Sequence, residues 1–263
     1  MIAAIQNNLV AAWHWRAAIW LGVCYLLNNR ARGSKMAMFL ALLEPLVLIA
    51  IFYFLRAMVR EGLPQYGTSL LLFLCSGLLP FFMFIRISTH TRSVNVGPRS
   101  RLPGLSALDV YIANVIAHSI IWITMIVAIF LAMWLYGIRQ ARPASIVDCA
   151  APILLLILLA TGVGMINNVI VRYVRVWATL YPILMRVIIF LSGVWVVVDL
   201  LPLGWRWWCM LNPLSHAIEW FRLGVYGIYP HNSLDQAYLL EWTLVVLFLG
   251  FIIDRAALRK LDS

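Results

Sequence analysis

Apolar residues run along this chain in blocks too long for the core helices of a soluble domain. A helix that crosses a bilayer needs about 20 mainly apolar residues. Six segments meet that requirement, over 36–57, 69–87, 107–136, 148–171, 179–200 and 236–254. Between them lie helix-breaking stretches: Gly62-Leu63-Pro64, Gly97-Pro98 through Pro103-Gly104, Gly137 through Pro143, Arg172 through Arg175, and 201–232. No repeat and no low-complexity tract interrupts the pattern. The expected fold class is therefore an all-α integral membrane protein with six transmembrane helices, organised as one domain over 1–263.

The N-terminal segment follows a different pattern. Ile2, Ile5, Leu9, Trp13, Trp20, Val23 and Leu27 share one helical face, with Asn7, His14 and Asn29 opposite. The apolar run after Arg16, Ala17 to Leu27, is too short to cross. Residues 1–33 are expected to lie as an amphipathic helix on the cytoplasmic face. A seventh span carrying His14 and Arg16 is the alternative, opposed by the cost of an intramembrane Arg.

The segment between the last two spans is unlike an ordinary loop. Pro202 and Gly204 break the helix, Trp205-Arg206-Trp207-Trp208 follows, and Asn212-Pro213-Leu214 leads into Ile218-Glu219-Trp220-Phe221-Arg222. Aromatic residues of this kind collect at the membrane–water boundary. A break, an aromatic cluster and a second short helix predict that 201–232 dips into the membrane and returns. Irregular backbone at that depth requires surrounding protein or a water-filled path.

The chain of 263 residues is 64% hydrophobic and 11% charged. Soluble domains average about 25% charged residues, so most of this chain belongs in lipid. No basic stretch precedes Arg16, and a cleaved signal peptide is not expected. The net charge of +10 reflects the distribution of loop cations, with no nucleic acid implied. With six spans and an inner N-terminus, thirteen Lys and Arg fall on the inner side. Six fall outside, namely Arg56, Arg60, Arg139, Arg142, Arg206 and Arg222, while Arg186 lies within a span. The bias places both termini in the cytoplasm. Cys24, Cys75, Cys149 and Cys209 form no metal-binding or disulfide pattern.

Enzymatic signatures are missing from the sequence. Lys35 is followed by Met36 and Lys260 by Leu261, so neither completes a phosphate-binding Gly-Lys-Ser/Thr loop. The five His residues are dispersed, and no metal site or nucleophile elbow is formed. Two regions carry candidate chemistry instead. His90, Arg92, Arg99 and Arg101 lie on a long basic loop, which reads either as a solvated cytoplasmic connection or as a docking surface for an acidic partner. Arg186 sits about 10 Å into the fifth segment at 1.5 Å per residue, where a charge faces a cavity, a partner or the headgroups. Trp195, Trp205, Trp207, Trp208, Trp220, Tyr226 and Tyr229 are read either as an interfacial belt or as an aromatic exit on which sugar rings slide.

Several phrases resemble a known family. Arg32-Gly33-Ser34-Lys35 leading into Leu42-Leu43-Glu44-Pro45-Leu46 resembles the start of the first span in type-2 ATP-binding-cassette exporter permeases. Ser76-Gly77-Leu78-Leu79-Pro80-Phe81 resembles their second span. Leu191-Ser192-Gly193, Pro202, Asn212-Pro213-Leu214 and Ile218-Glu219-Trp220-Phe221-Arg222 resemble their fifth span and the region after it. Glu44-Pro45 is most similar to the capsular-polysaccharide export permeases of the inner membrane, the KpsM type. O-antigen and teichoic-acid permeases are close relatives. The sequence departs from the pattern after Leu108-Asp109, where Asn114 and His118 stand in place of an Arg and a carboxylate.

The resemblance implies a half-transporter of the bacterial inner membrane that pairs with a second copy and with two copies of a separate ATPase. It implies no cofactor in this chain, with ATP and Mg on that ATPase. It also implies a coupling helix within 88–104 and two short re-entrant helices within 201–232. Capsule exporters of this type further work with a periplasmic co-polymerase-type adaptor and an outer-membrane channel. The expected function is export of a lipid-linked, anionic capsular polysaccharide, with Arg186 and the Trp cluster along its path. O-antigen or teichoic-acid export is the alternative within the family. An ion-coupled secondary transporter and a membrane scaffold are the alternatives from other classes; the first is opposed by the positions of Glu44, Asp109, Asp148 and Asp199 near span ends.

Overall fold

The computed structural model describes residues 20, 22–24, 46–55, 58, 64–90 and 107–262. Among these the chain is helical, without a strand. Four helices are long and apolar enough to cross a membrane: α2 (Leu70–His90), α3 (Ala107–Leu135), α4 (Ile146–Tyr173) and α8 (Gln236–Asp262). Of the expected first span, the helix α1 (Leu46–Leu55) is described.

The fifth apolar segment differs from expectation. A single helix over 179–200 would carry Arg186 and Asp199 together. Instead α5 (Trp177–Ile188) passes into a 3-10 turn, Ile189–Leu191, and helical geometry ends there. At the standard rises this is about 24 Å, short of a hydrocarbon core of about 30 Å. Ser192–Val197 continues as a non-helical strap to a second 3-10 turn, Val198–Leu200. Gly193 is the physical reason for the break. Its φ of +65° is left-handed, and an added Cβ would meet Val198 Cγ2 at 2.9 Å. Of the six expected segments, then, four have the length of a crossing helix and the fifth is shorter, while of the first only Leu46–Leu55 is described.

The 201–232 region forms two short helices, α6 (Leu203–Met210) and α7 (Pro213–Tyr226). Sequence dictates the start of α7. Asn212 is its N-cap, accepting from the Leu214 N–H at 3.1 Å, and Pro213 takes the first helical position. Gly227, with φ of +71°, ends it.

The helices assemble around α4, which packs on α8, α7 and α2. α2 is the most enclosed of the four long helices and α8 the least. The α4–α8 contact is close because both helices place glycines there. A Cβ on Gly162 would lie 2.7 Å from the Leu247 nitrogen, and one on Gly250 2.7 Å from the Gly162 carbonyl oxygen. The main core runs through Leu72, Leu78, Leu79, Phe81, Met83, Leu156 and Ile218. At one end of the bundle, Trp177 Nε1 donates to Asn167 at 2.8 Å and Arg172 meets Asp254 at 3.8 Å, joining α4, α5 and α8.

Most of the expected N-terminal amphipathic helix lies outside the described residues. Trp20 and Gly22–Cys24 are helical, and Val23 packs against Ala113 and Ala117 of α3. The expected coupling region, 88–104, falls outside likewise from residue 91 onward.

Candidate functional site

The end of the bundle opposite the Arg172–Asp254 pair holds the strap, α6, α7 and the turn before α2. A buried cation organises it. Arg222, on α7, is fully buried. Its Nη1 donates to the Gly193 carbonyl at 2.7 Å and to the Val196 carbonyl at 3.3 Å. Its Nη2 donates to the Val194 carbonyl at 2.6 Å and to that of Phe73 at 3.4 Å. Nε donates to Ser76 Oγ at 3.3 Å, and the guanidinium carbon stands 4.0 Å over the Phe73 ring. A planar fork with five donors suits this task, and the ring face adds cation–π attraction.

The acceptors explain why the charge is there. The strap has left helical geometry, so its carbonyls lack intrahelical partners, and buried carbonyls without partners are costly. Arg222 supplies those partners, and the carbonyl oxygens offset its charge. The carbonyls just before the strap are served by short side chains. Ser192 Oγ donates to Ile188 O at 2.7 Å; Asn212 Nδ2 donates to Leu191 O at 3.3 Å and to Ser192 Oγ at 2.9 Å. Gly77 lets α2 approach, since a Cβ there would sit 2.7 Å from Arg222 Nη2 and 2.9 Å from Val194 O. Motif residues that are far apart in sequence, Ser76-Gly77, Ser192-Gly193, Asn212-Pro213 and Arg222, thus meet at one junction.

Further polar links tie this unit together. Glu219 is buried and accepts the Val198 N–H at 3.2 Å. Asp199 pairs with Arg206 of α6 at 2.8 Å and accepts from the Asn232 N–H at 2.7 Å and from Ser233 Oγ. His216 bridges two loops: Nε2 bonds to Met210 O at 2.7 Å, and Nδ1 accepts the Asp235 N–H at 3.1 Å. That pair of partners selects the Nε2-protonated neutral ring. Gln65 accepts the Val197 N–H at 2.8 Å, and Tyr66 donates to Ile228 O.

The structure places the expected site residues apart from one another. Arg186 lies on the exposed face of α5, while Tyr181 and Met185 of the same helix are buried. Among the described residues the cation drawn into the interior is Arg222, which the sequence places among the outer cations. The aromatic residues divide into groups. Trp205, Trp207 and Trp208 project from α6 and are exposed. Trp195 packs on Phe52 at 4.0 Å between ring centroids. Trp220 turns the other way, donating to Asp148 of α4 at 3.2 Å. Tyr226 stacks with Tyr229, and both meet Tyr66 edge-on. Arg92, Arg99 and Arg101 lie outside the described residues, and His90 ends α2. Asn114 and His118 are buried and bond within α3, to Val110 O at 3.0 Å and Asn114 O at 2.8 Å.

Sequence reasoning missed the Arg222 junction and the Trp220–Asp148 link. A signal for the first was present: Leu214, Ile218, Phe221 and Val225 form an apolar stripe at helical spacing, and Arg222 lies at its edge. Among the described residues no group of three or more His, Cys, Asp or Glu is placed to hold a metal ion.

The family model described as ABC-2 type transporter matches residues 18–226, which span α1 to α7. The chain belongs to the ABC-2 type transporter family. It is also similar to two proteins of Escherichia coli, each described as polysialic acid transport protein KpsM. One is 28% identical over 222 residues, covering 82% of this chain and 83% of the relative. The other is 27% identical over 219 residues, with the same coverages. As an ABC-2 transporter of KpsM-like type, the chain is the membrane subunit of a transporter and not its catalytic part, and the family implies an ATPase partner. That sets aside an ion-coupled carrier. The buried junction is therefore part of an ABC-2 membrane domain, and α8 lies beyond the matched segment.

Proposed function

We propose that this chain is the membrane subunit of an exporter that moves a lipid-linked, anionic capsular polysaccharide across the bacterial inner membrane. The observation that carries the reading is the similarity, over 82% of the chain, to proteins described as transporting polysialic acid. In this reading the chain crosses six times with both termini in the cytoplasm. Two copies form the path between them, because the helices of one copy pack into a filled core. Two ATPase subunits, holding ATP and Mg, dock on the 88–104 region. A periplasmic adaptor and an outer-membrane channel continue the path.

Two features support a role for named residues. Arg186 stands on an exposed face of a short helix, positioned to meet a second copy or the polymer's negative charge. Trp205, Trp207 and Trp208 are exposed on α6, where flat rings offer sugars a weak and repeated grip. The welded strap–α6–α7 unit would move as one piece over the exit.

The test is deletion of the gene in its host, followed by return of this chain with and without its ATPase. Expected is intracellular polymer in the deletion strain and surface polymer on return of both subunits. Unchanged surface polymer after deletion, or export by this chain in vesicles without an ATPase, overturns the reading. Chemical analysis of the retained polymer separates capsule from O-antigen or teichoic acid.

A further inference from the structure

A groove of about 910 Å³ opens where α3 and α4 part, next to the 136–145 turn. Its walls run from Ile123 to Trp134 on α3 and from Ile146 to Ile157 on α4, and its floor is Phe221 and Val225 of α7. From the first to the last of these residues on each helix are eleven rises, about 16 Å. One leaflet is about half of a 30 Å hydrocarbon core, so the groove is one leaflet deep. Its lining is apolar except at the mouth, where Arg142 is the one charged residue. Arg139 stands on the same 3-10 turn. Both are exposed, and neither makes an ion pair among the described residues. Asp148, the acid on the first turn of α4, is engaged with Trp220.

We propose that this groove holds an acyl chain of an anionic phospholipid, with the headgroup phosphate on Arg142 and Arg139. Charge complementarity and depth choose this occupant. A positive mouth over an apolar slot accepts a phosphate above a tail, and the slot ends where a leaflet ends. The bound tail packs on Phe221, the neighbour of Arg222, and so braces α7 from the bilayer side.

The experiment uses the full chain in phosphatidylethanolamine vesicles with phosphatidylglycerol as the minor component. A trace of phosphatidylglycerol carries a diazirine at the end of one acyl chain, and a parallel sample carries the same group on phosphatidylethanolamine. After illumination, labelled peptides are mapped. Label from phosphatidylglycerol is expected to concentrate on 123–134 and 146–157 relative to the lipid-exposed surface of α8. Arg142→Gln with Arg139→Gln, at two exposed positions, should reduce it on the order of thirtyfold, the factor for roughly 1 kcal/mol from each of the two cations. Ala150→Trp, which fills the groove, should reduce it similarly, with α8 labelling unchanged. Three results would each overturn the proposal: label no denser than on α8, equal label from both lipids, or exclusion of lipid by a Cys149–Cys149 crosslink between two copies.

Discussion

Arg222 Nη1 and the carbonyl oxygen of Gly193 are 2.7 Å apart, although 29 residues separate them in the chain. This bond fixes the end of a shortened helix to α7, the second short helix of the 201–232 region. The carbonyl is free to accept because Gly193 has turned into left-handed geometry, and the donor reaches it because α7 is capped and seated by Asn212. Break, cap and cation are one arrangement, and each can be tested.

Replacing Arg222 with Met should leave the Gly193 and Val194 carbonyls buried without their short donors. At about 1–3 kcal/mol per unsatisfied group, the loss is roughly 3 kcal/mol or more. Arg222→Lys keeps the charge but not the planar fork, and should recover less than half of that. Thermal unfolding in detergent reads both. A Lys variant as stable as the parent would show that charge alone, not the fork, is what the junction uses.

Gly193→Ala places a β-carbon in left-handed backbone, 2.9 Å from Val198 Cγ2. The expected cost is about 1–2 kcal/mol before any repacking. Gly204→Ala is the control, since nothing lies within 4 Å of a Cβ there, and Ala is favoured over Gly in a helix by up to about 1 kcal/mol. The two variants should move the unfolding midpoint in opposite directions.

Asn212 both caps α7 and donates to Leu191 and Ser192. Asn212→Ala should cost about 1 kcal/mol for the cap, plus the two donations. Asn212→Asp keeps the cap acceptor and loses the donors, so its stability should fall between parent and Ala. If Asp equals the parent, the links to the end of α5 carry no weight.

Asp199 and Arg206 meet at 2.8 Å, with the Asp side chain 6% exposed and the Arg 25%. A double-mutant cycle with Asp199→Asn and Arg206→Gln should give a coupling of about 1–2 kcal/mol, more than an open surface pair. The Asp199→Asn single variant should cost more than Arg206→Gln, because Asn232 and Ser233 also bond to the carboxylate.

Under the proposed function, Arg186→Ala should strongly reduce surface polymer while the protein still copurifies with its ATPase. Arg186→Lys should retain part of the transport, since a point charge at that place still attracts an anion. Normal capsule on a well-expressed Ala variant would remove Arg186 from the path.

Length of apolar run, helix breakers and caps are local properties, and they were legible. The helices α2, α3, α4 and α8 follow from runs of apolar residues that no other environment accommodates. The two short helices after residue 201 follow from Pro202 and from Asn212-Pro213, and the family from phrases spread along the chain. These readings need no knowledge of which segment lies beside which.

The end of α5 was not legible, because its residues past Leu191 are as apolar as those before it. Helix or strap differ there by whether distant groups satisfy the freed carbonyls, and only packing brings Arg222, Asn212 and Ser76 to them. For the same reason the burial of Arg222, counted from the sequence among outer cations, was not legible. A charge in a sequence shows its cost of burial, but the partners that offset the cost come from other helices. The sequence by itself determined that this is a membrane domain of ABC-2 type with an irregular region before its last helix. The tertiary structure alone decided which cation is buried, which aromatics face outward, and that the strap, α6 and α7 are joined to α2 as one unit.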